Sequence, residues 1–268
     1  MATTAPRSGL APVNGIQLWY EIHGDGQPLI LLHGGFGSVG MFGANVEALA
    51  GGRQVIGVDL QSHGRSPAID RPMTFETMAD DVAALIEHLD LGRADVMGFS
   101  LGGGVALRTA IQHPEVVDRL VLASTPFRRS GWYPEMSAGM DAMGPETAGP
   151  LGASPMGAAY RAIAPNPDAW QTLVSQLTTL LHDDYDWTAE ASRLEMPVML
   201  VLGDADGLPP RHAVECFELL GGGERDAHWD LSGRTRHRLA ILPGVTHYDL
   251  NVSPLLATSV IAFLDEDR

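Results

Sequence analysis

The sequence contains no lysine: all 17 of its basic residues are arginine. That excludes Schiff-base catalysis, a Walker-type phosphate loop and a Ser–Lys dyad, because each needs a primary amine. Cysteine occurs once, at Cys216, which leaves no internal disulfide and no cysteine-rich zinc site. Cys216 falls in a helix predicted over Arg211–Leu220 and reads as a buried, inert thiol. Positive charge is scarce against 33 acidic residues, and the net charge is −16. Such a balance argues against binding a phosphate backbone or an anionic lipid surface, and suits an acidic, solubilising shell. No apolar run approaches the length of a membrane span. Met1–Leu10 is small and polar, without the apolar core of a secretory signal, so a cytoplasmic location is the expectation.

What is present suits a folded chain with one sizeable core. At 268 residues, 45% hydrophobic and 19% charged, the composition is that of an ordinary globular protein. Short β-branched runs alternate with helical stretches, the pattern of a parallel sheet covered on both faces. Ile16–Ile22 reads as an early antiparallel strand. Pro28–Leu32, Val55–Leu60, Asp95–Phe99, Val117–Ala123, Pro197–Leu202 and Leu239–Leu242 read as buried strands. Thr74–Leu89 has helical periodicity with Thr74 as its N-cap, Leu101 to about His113 is a second helix, and Ser253–Leu264 closes the chain. The predicted class is therefore α/β, a mostly parallel doubly wound sheet.

Between Ser124 and Glu195 the character changes. Seven prolines from Pro126 to Pro167 interrupt the rhythm, alongside Met136, Met140, Met143, Met156, Trp132, Tyr133, Tyr160, Trp170, Tyr185 and Trp187. The segment is too apolar for a linker. It reads as a helical cap over residues 125–195, inserted into a core formed by 1–124 and 196–268. Gly221–Arg236 reads as a surface loop with no assignable role.

The strongest motif is Gly98-Phe99-Ser100-Leu101-Gly102. A nucleophilic serine must project from a sharp strand-to-helix turn, where small neighbours admit the strained backbone and the helix N-terminus supplies N–H donors. Here an apolar strand precedes the motif and a helix follows it. Serine also needs a base oriented by a third group. His247 lies just beyond the last predicted strand, whereas the other histidines after the elbow sit at a helix stop, in the insertion or beside the irregular loop, with His212, which opens a helix, only a distant alternative. Asp204 and Asp206 both follow Pro197–Leu202. Asp206 is the expected acid, since a turn must separate strand and reaching side chain, and Asp204 is expected to shape that turn. The preceding strand ends in Ser124-Thr125 with no carboxylate. Oxyanion donors are expected from the Leu101 N–H and from the loop His33-Gly34-Gly35-Phe36-Gly37, with Gly35 preferred over Phe36.

These residues together resemble the α/β-hydrolase superfamily over the whole chain apart from the insertion and the Gly221–Arg236 loop. The order Ser100, Asp206, His247 is the order that fold uses. Asp59-Leu60-Gln61-Ser62-His63-Gly64-Arg65-Ser66 is similar to a loop of that family with Ser62 in place of the usual glycine. The loop is mainly structural there, so the resemblance gives Asp59 and His63 no catalytic role. The nearest look is that of the serine esterase, cofactor-free haloperoxidase and carbon–carbon hydrolase set. Ser100 excludes the dehalogenases and epoxide hydrolases, which carry aspartate at the elbow. The missing lysine excludes plant hydroxynitrile lyases, and Phe36 replaces the proline of the iminopeptidase oxyanion loop. The Ser/Gly-Pro loop usual in carbon–carbon hydrolases is also missing.

The resemblance implies hydrolysis of esters or lactones through an acyl-enzyme on Ser100, with no metal or organic cofactor. The partner is a small-molecule substrate, not a nucleic acid or a membrane. Phe36, Phe127, Trp132, Met136, Met140 and Tyr248 are expected to line an apolar pocket, which favours uncharged substrates. Three other uses of the same residues stay open: a cofactor-free haloperoxidase or perhydrolase that forms a peracid from acetate and peroxide, a carbon–carbon bond hydrolase, and a ligand receptor that retains the triad.

Overall fold

The computed structural model describes residues 6–266. Met1–Ala5, the start of the segment read for a signal, lies outside the described residues, as do Asp267 and Arg268. Eight strands form one sheet: β1 (Arg7–Val13), β2 (Ile16–His23), β3 (Gln27–Leu32), β4 (Arg53–Asp59), β5 (Ala94–Phe99), β6 (Val117–Ala123), β7 (Val198–Ala205) and β8 (Arg238–Thr246). Their order is β1-β2-β4-β3-β5-β6-β7-β8. β2 pairs antiparallel with β1 and β4, and every other pairing is parallel.

The helices are α1 (Ala44–Ala50), α2 (Phe75–His88), α3 (Leu101–Gln112), α4 (Pro134–Asp141), α5 (Ala148–Gly152), α6 (Pro155–Ile163), α7 (Trp170–His182), α8 (Thr188–Ala191), α9 (Pro210–Leu219) and α10 (Pro254–Leu264). Five of them, α4–α8, stand between β6 and β7 as an insertion.

The continuous apolar runs of the central strands follow from burial on both faces. Because side chains alternate, Ile30 and Leu32 of β3 enter one core while Leu29 and Leu31 enter the other. β6 and β7 divide likewise, with Leu120, Leu122, Val198 and Leu200 on the first side and Val121, Ala123, Met199 and Val201 on the second. The first core is closed by α2, α3 and the insertion, the second by α1 and α10. Each such side chain, fully buried, contributes roughly 1.5–3 kcal/mol. Thr74 caps α2 by accepting from the Thr77 N–H, and Thr77 returns the bond to the Thr74 N–H.

Three elements differ from the sequence expectation, and one of them, the short helix α1 (Ala44–Ala50), was not foreseen. β1 was not expected: as an edge strand it needs no β-branched run and tolerates Pro12. The last strand runs on from Leu242 to Thr246 through a bulge, with Gly203 opposite Leu242 but Ala205 opposite Thr246. Gly244 takes φ +70° within it, and its N–H donates to Asp204 Oδ1 at 2.8 Å. Asp204 therefore fastens the bulge of β8 instead of shaping its own turn. The bulge re-aims the strand end that carries His247.

Candidate active site

Ser100 occupies the hinge between β5 and α3 with φ 53° and ψ −115°, a left-handed backbone costly to a side-chain-bearing residue. The surroundings enforce it. The Ser100 N–H donates to the Ala123 carbonyl at 2.9 Å, and the Gly104 N–H closes on the Ser100 carbonyl at 3.1 Å. Gly98 and Gly102 meet at the turn, where a Cβ on Gly98 would overlap the Gly102 carbonyl. A Cβ on Gly102 would stand 2.5 Å from the carbonyl oxygens of Leu32 and His33. These contacts are backbone atoms and have nowhere to go.

The Ser100 hydroxyl lies 3.1 Å from His247 Nε2, and His247 Nδ1 lies 2.9 Å from Asp206 Oδ1. Asp206 is fully buried at its side chain. Its Oδ1 also accepts from the Leu208 N–H at 3.1 Å, and its Oδ2 accepts from the Gly203 N–H at 3.3 Å and from the Ser124 hydroxyl. Burial works to raise the Asp206 pKa. The bond from His247, the charge of that ring and the Ser124 and Leu208 donors outweigh it, so the carboxyl stays below its ordinary value. The carboxylate can thus hold the Nδ1–H tautomer and leave Nε2 to accept the serine proton.

Ser124 is the residue the sequence reading passed over. The strand end without a carboxylate supplies instead a buried hydroxyl, itself at φ 50°, that binds the carboxylate of the next strand.

The loop after β3 is also built for donation. The Gly34 N–H goes to Met41 Sδ at 3.2 Å and the Gly37 N–H to the Gly34 carbonyl at 3.1 Å. The N–H groups of Gly35 and Phe36 have no acceptor among the described residues, and both residues face the cavity beside Ser100 and Leu101. Phe36 is held at φ 58°. His33 clamps the loop from beneath: Nδ1–H donates to the Gly34 carbonyl at 2.7 Å, and Nε2 accepts the Leu60 N–H at 3.0 Å. Accepting at Nε2 requires the neutral ring, and burial lowers the His33 pKa to about 4. His63, 5.0 Å away, is lowered to about 3 by burial and by repulsion between the two rings.

Asp59 is taken up by the Val39 and Arg65 amides, both at 2.8 Å, and neither it nor His63 lines the cavity. Ser62 stands at φ 61° where glycine is usual, and its hydroxyl donates to Gln176 Oε1 of α7 at 2.8 Å.

A cavity of about 170 Å³ opens on Ser100 and His247, walled by Phe36, Phe75, Trp132, Met136, Met140, Leu177, Leu180, Leu181 and Tyr185, among others. Of the expected lining, Phe36, Trp132, Met136 and Met140 are there. Phe127 is not: it is fully buried in the first core, against the underside of the insertion. Tyr248 is 83% exposed and borders a shallower hollow with Tyr133, Glu135 and Met143. Its neighbour His247 turns inward while Tyr248, next along the chain, turns out. The leucines of α7 were missed because their helical spacing is that of any buried face. Cys216 is buried, and that burial pushes its thiol up to about 12, which suits an inert role.

Among the described residues no helix is long and apolar enough to cross a membrane. No cluster of three or more metal-ligating side chains occurs among them either.

Known proteins resemble this chain in sequence and in fold. The chain is 38% identical to the sn-1-specific diacylglycerol lipase ABHD11 of Danio rerio over 42% of its own length and 36% of the relative's. It is 37% identical to the dihydrolipoyllysine-residue acetyltransferase component of the acetoin cleaving system of Pseudomonas putida, over 45% of this chain and 33% of that one. The matches thus span about a third of these curated relatives. Among solved structures, a thermophilic esterase from Thermogutta terrifontis superposes with a TM-score of 0.72 at 21% identity, covering 97% of this chain and 98% of that one. The enol-lactonase of Burkholderia xenovorans LB400 gives 0.71 at 22%, covering 96% and 100%. The model of the alpha/beta hydrolase fold family matches residues 27–172, just over half of the chain. With that match and the eight-stranded sheet, the chain belongs to the α/β-hydrolase fold family.

Proposed function

We propose that the protein is a serine hydrolase that cleaves small carboxylic esters or lactones through an acyl-enzyme on Ser100. The observation that carries this reading is the unbroken line Ser100 Oγ–His247–Asp206, at 3.1 and 2.9 Å, opening on a largely apolar cavity. Ser100 attacks the carbonyl carbon as His247 Nε2 takes its proton. The developing oxyanion is met by the N–H groups of Leu101 and Gly35, with Phe36 beside them. His247 returns the proton to the leaving alkoxide, then deprotonates water for the second attack. Asp206 stays ionised throughout and stabilises the imidazolium. Each oxyanion donor is worth about 2.7–4 kcal/mol in such sites.

Insertion helices α4 and α7 act as a cap, because their side chains close the cavity over Ser100. At about 170 Å³ the cavity is smaller than the roughly 300–1,000 Å³ that houses a drug-sized ligand. That size points to a short acyl group and away from the long chains of membrane lipids. The test is turnover of p-nitrophenyl esters from acetate to dodecanoate beside Ser100→Ala. Short esters are expected to be fastest, with turnover lost in the variant. Equal turnover by the variant would show that the chemistry is not on Ser100.

A further inference from the structure

Apart from Ser100 and His247, the chamber is apolar except where Arg129 and Tyr185 join its wall. They come from two segments pinned together: Arg128 bridges Asp186, the Arg129 N–H donates to the Tyr185 carbonyl at 2.9 Å, and the Trp187 N–H donates to the Phe127 carbonyl at 2.9 Å. The side chains are therefore fixed as a pair. Arg129 Nε donates to the Leu181 carbonyl at 3.1 Å and Nη2 to Asp141 Oδ1 at 2.5 Å, while Nη1 has no acceptor among the described residues. The guanidinium is largely buried and Asp141 is exposed, so water screens the anion more than the cation. The Trp132 side chain lies close enough to the Tyr185 hydroxyl to favour its ionised form, a smaller effect than burial. No acceptor for the Tyr185 O–H proton occurs among the described residues, and burial pushes the phenol's pKa up. Two kinds of donor without a protein acceptor thus line the same chamber as the nucleophile, where the oxygen of a ligand can meet both.

We propose that Arg129 and Tyr185 form a specificity subsite for an oxygen acceptor at the far end of the acyl group, so that the preferred substrates are esters or lactones of short dicarboxylic or oxo acids. The inference rests on the acyl-enzyme reading above and replaces the preference for uncharged substrates that the sequence suggested.

Three p-nitrophenyl esters of five-carbon acids test it: valerate, 4-oxopentanoate and the monoester of glutarate. The expected result is a kcat/KM for an oxygen-bearing ester on the order of tenfold or more above valerate, carried mainly by KM. Preference for glutarate alone identifies a carboxylate as the ligand, and preference for both identifies any terminal oxygen. Arg129→Met and Tyr185→Phe should each shrink the ratio towards one. If Arg129→Met fails to fold, Tyr185→Phe carries the test, because its ring keeps its stacking on Trp187 and its edge contact with Phe75. Valerate hydrolysed as well as the others, or a ratio unchanged in both variants, overturns the subsite while leaving the hydrolase reading intact. Should wild type hydrolyse none of the three, that reading fails. Binding of glutarate, 4-oxopentanoate and valerate to Ser100→Ala then decides the subsite alone. Tighter binding of either oxygen-bearing acid, weakened by adding Tyr185→Phe, supports it, and equal binding overturns it.

Discussion

The sheet and the insertion build the same site by opposite means. Around Ser100 the geometry is set by backbone against backbone: Gly98 against Gly102, Gly102 against the ends of β3, and Gly203 against the Val245 carbonyl. The insertion instead meets the site through side chains of Trp132, Met136, Met140, Leu177 and Leu181, on helices where Gly139 and Gly149 face open space. A backbone contact cannot be repacked, whereas a methionine or leucine can be exchanged at modest cost. The core therefore holds the chemistry constant, and the insertion is where the shape of the substrate is decided.

The contrast is broken most severely at the reacting groups. Ser100→Ala is expected to lower kcat by about 10⁶ and Asp206→Asn by about 10⁴, since the latter leaves the geometry but loses the tautomer. Steady-state kinetics on the best short ester measures both. If Asp206→Asn behaved as wild type, the acid would lie elsewhere.

Next in size is the elbow backbone. Gly98→Ala forces a Cβ into the Gly102 carbonyl and should cost about 3 kcal/mol or more, read as a lowered denaturation midpoint. A midpoint within error of wild type would mean that the turn can relax.

Acid should loosen the core side first. The folded-state pKa values of His33 and His63, about 4 and about 3, lie below the ordinary 6.5. The unfolded chain therefore binds protons that the folded one refuses. The stability these neutral rings contribute is complete above pH 6.5 and declines as pH falls towards 4 and then 3, below which no more is lost. His33 alone accounts for a loss on the order of 3 kcal/mol across that window. Denaturant titrations at pH 7 and pH 4.5 test this, and His33→Gln should flatten the slope. A stability independent of pH over this range would contradict the neutral clamp.

The smallest effect sharpens the comparison from the other side. Gly139→Ala, in α4 with nothing within 4 Å of its new methyl, should stabilise by about 0.5–1 kcal/mol without disturbing the site. A loss instead would reveal a contact that the helix hides.

The same contrast explains what could be read from sequence. The elbow, the central strands and the order Ser100, Asp206, His247 were legible because a buried parallel strand is a continuous apolar run and a backbone-tight turn demands glycine. The strand extension through Pro243 and Gly244 was not legible, because those residues ordinarily end strands and the Asp204 contact that fastens the bulge comes from across the sheet. Phe127 and Phe36 look alike in sequence, yet one fills the core and the other walls the cavity. Ser124 reads as an ordinary polar strand end until its distance to Asp206 is known. Arg129 was likewise unremarkable among 17 arginines, since only tertiary pairing with Tyr185 places it in the chamber.

The most direct test of the account is covalent. Incubation with a small fluorophosphonate followed by peptide mass spectrometry should place one adduct on Ser100, absent in Ser100→Ala and formed far more slowly in His247→Ala. Labelling of another residue, or none in the folded protein, would contradict the assignment of Ser100 as the activated nucleophile.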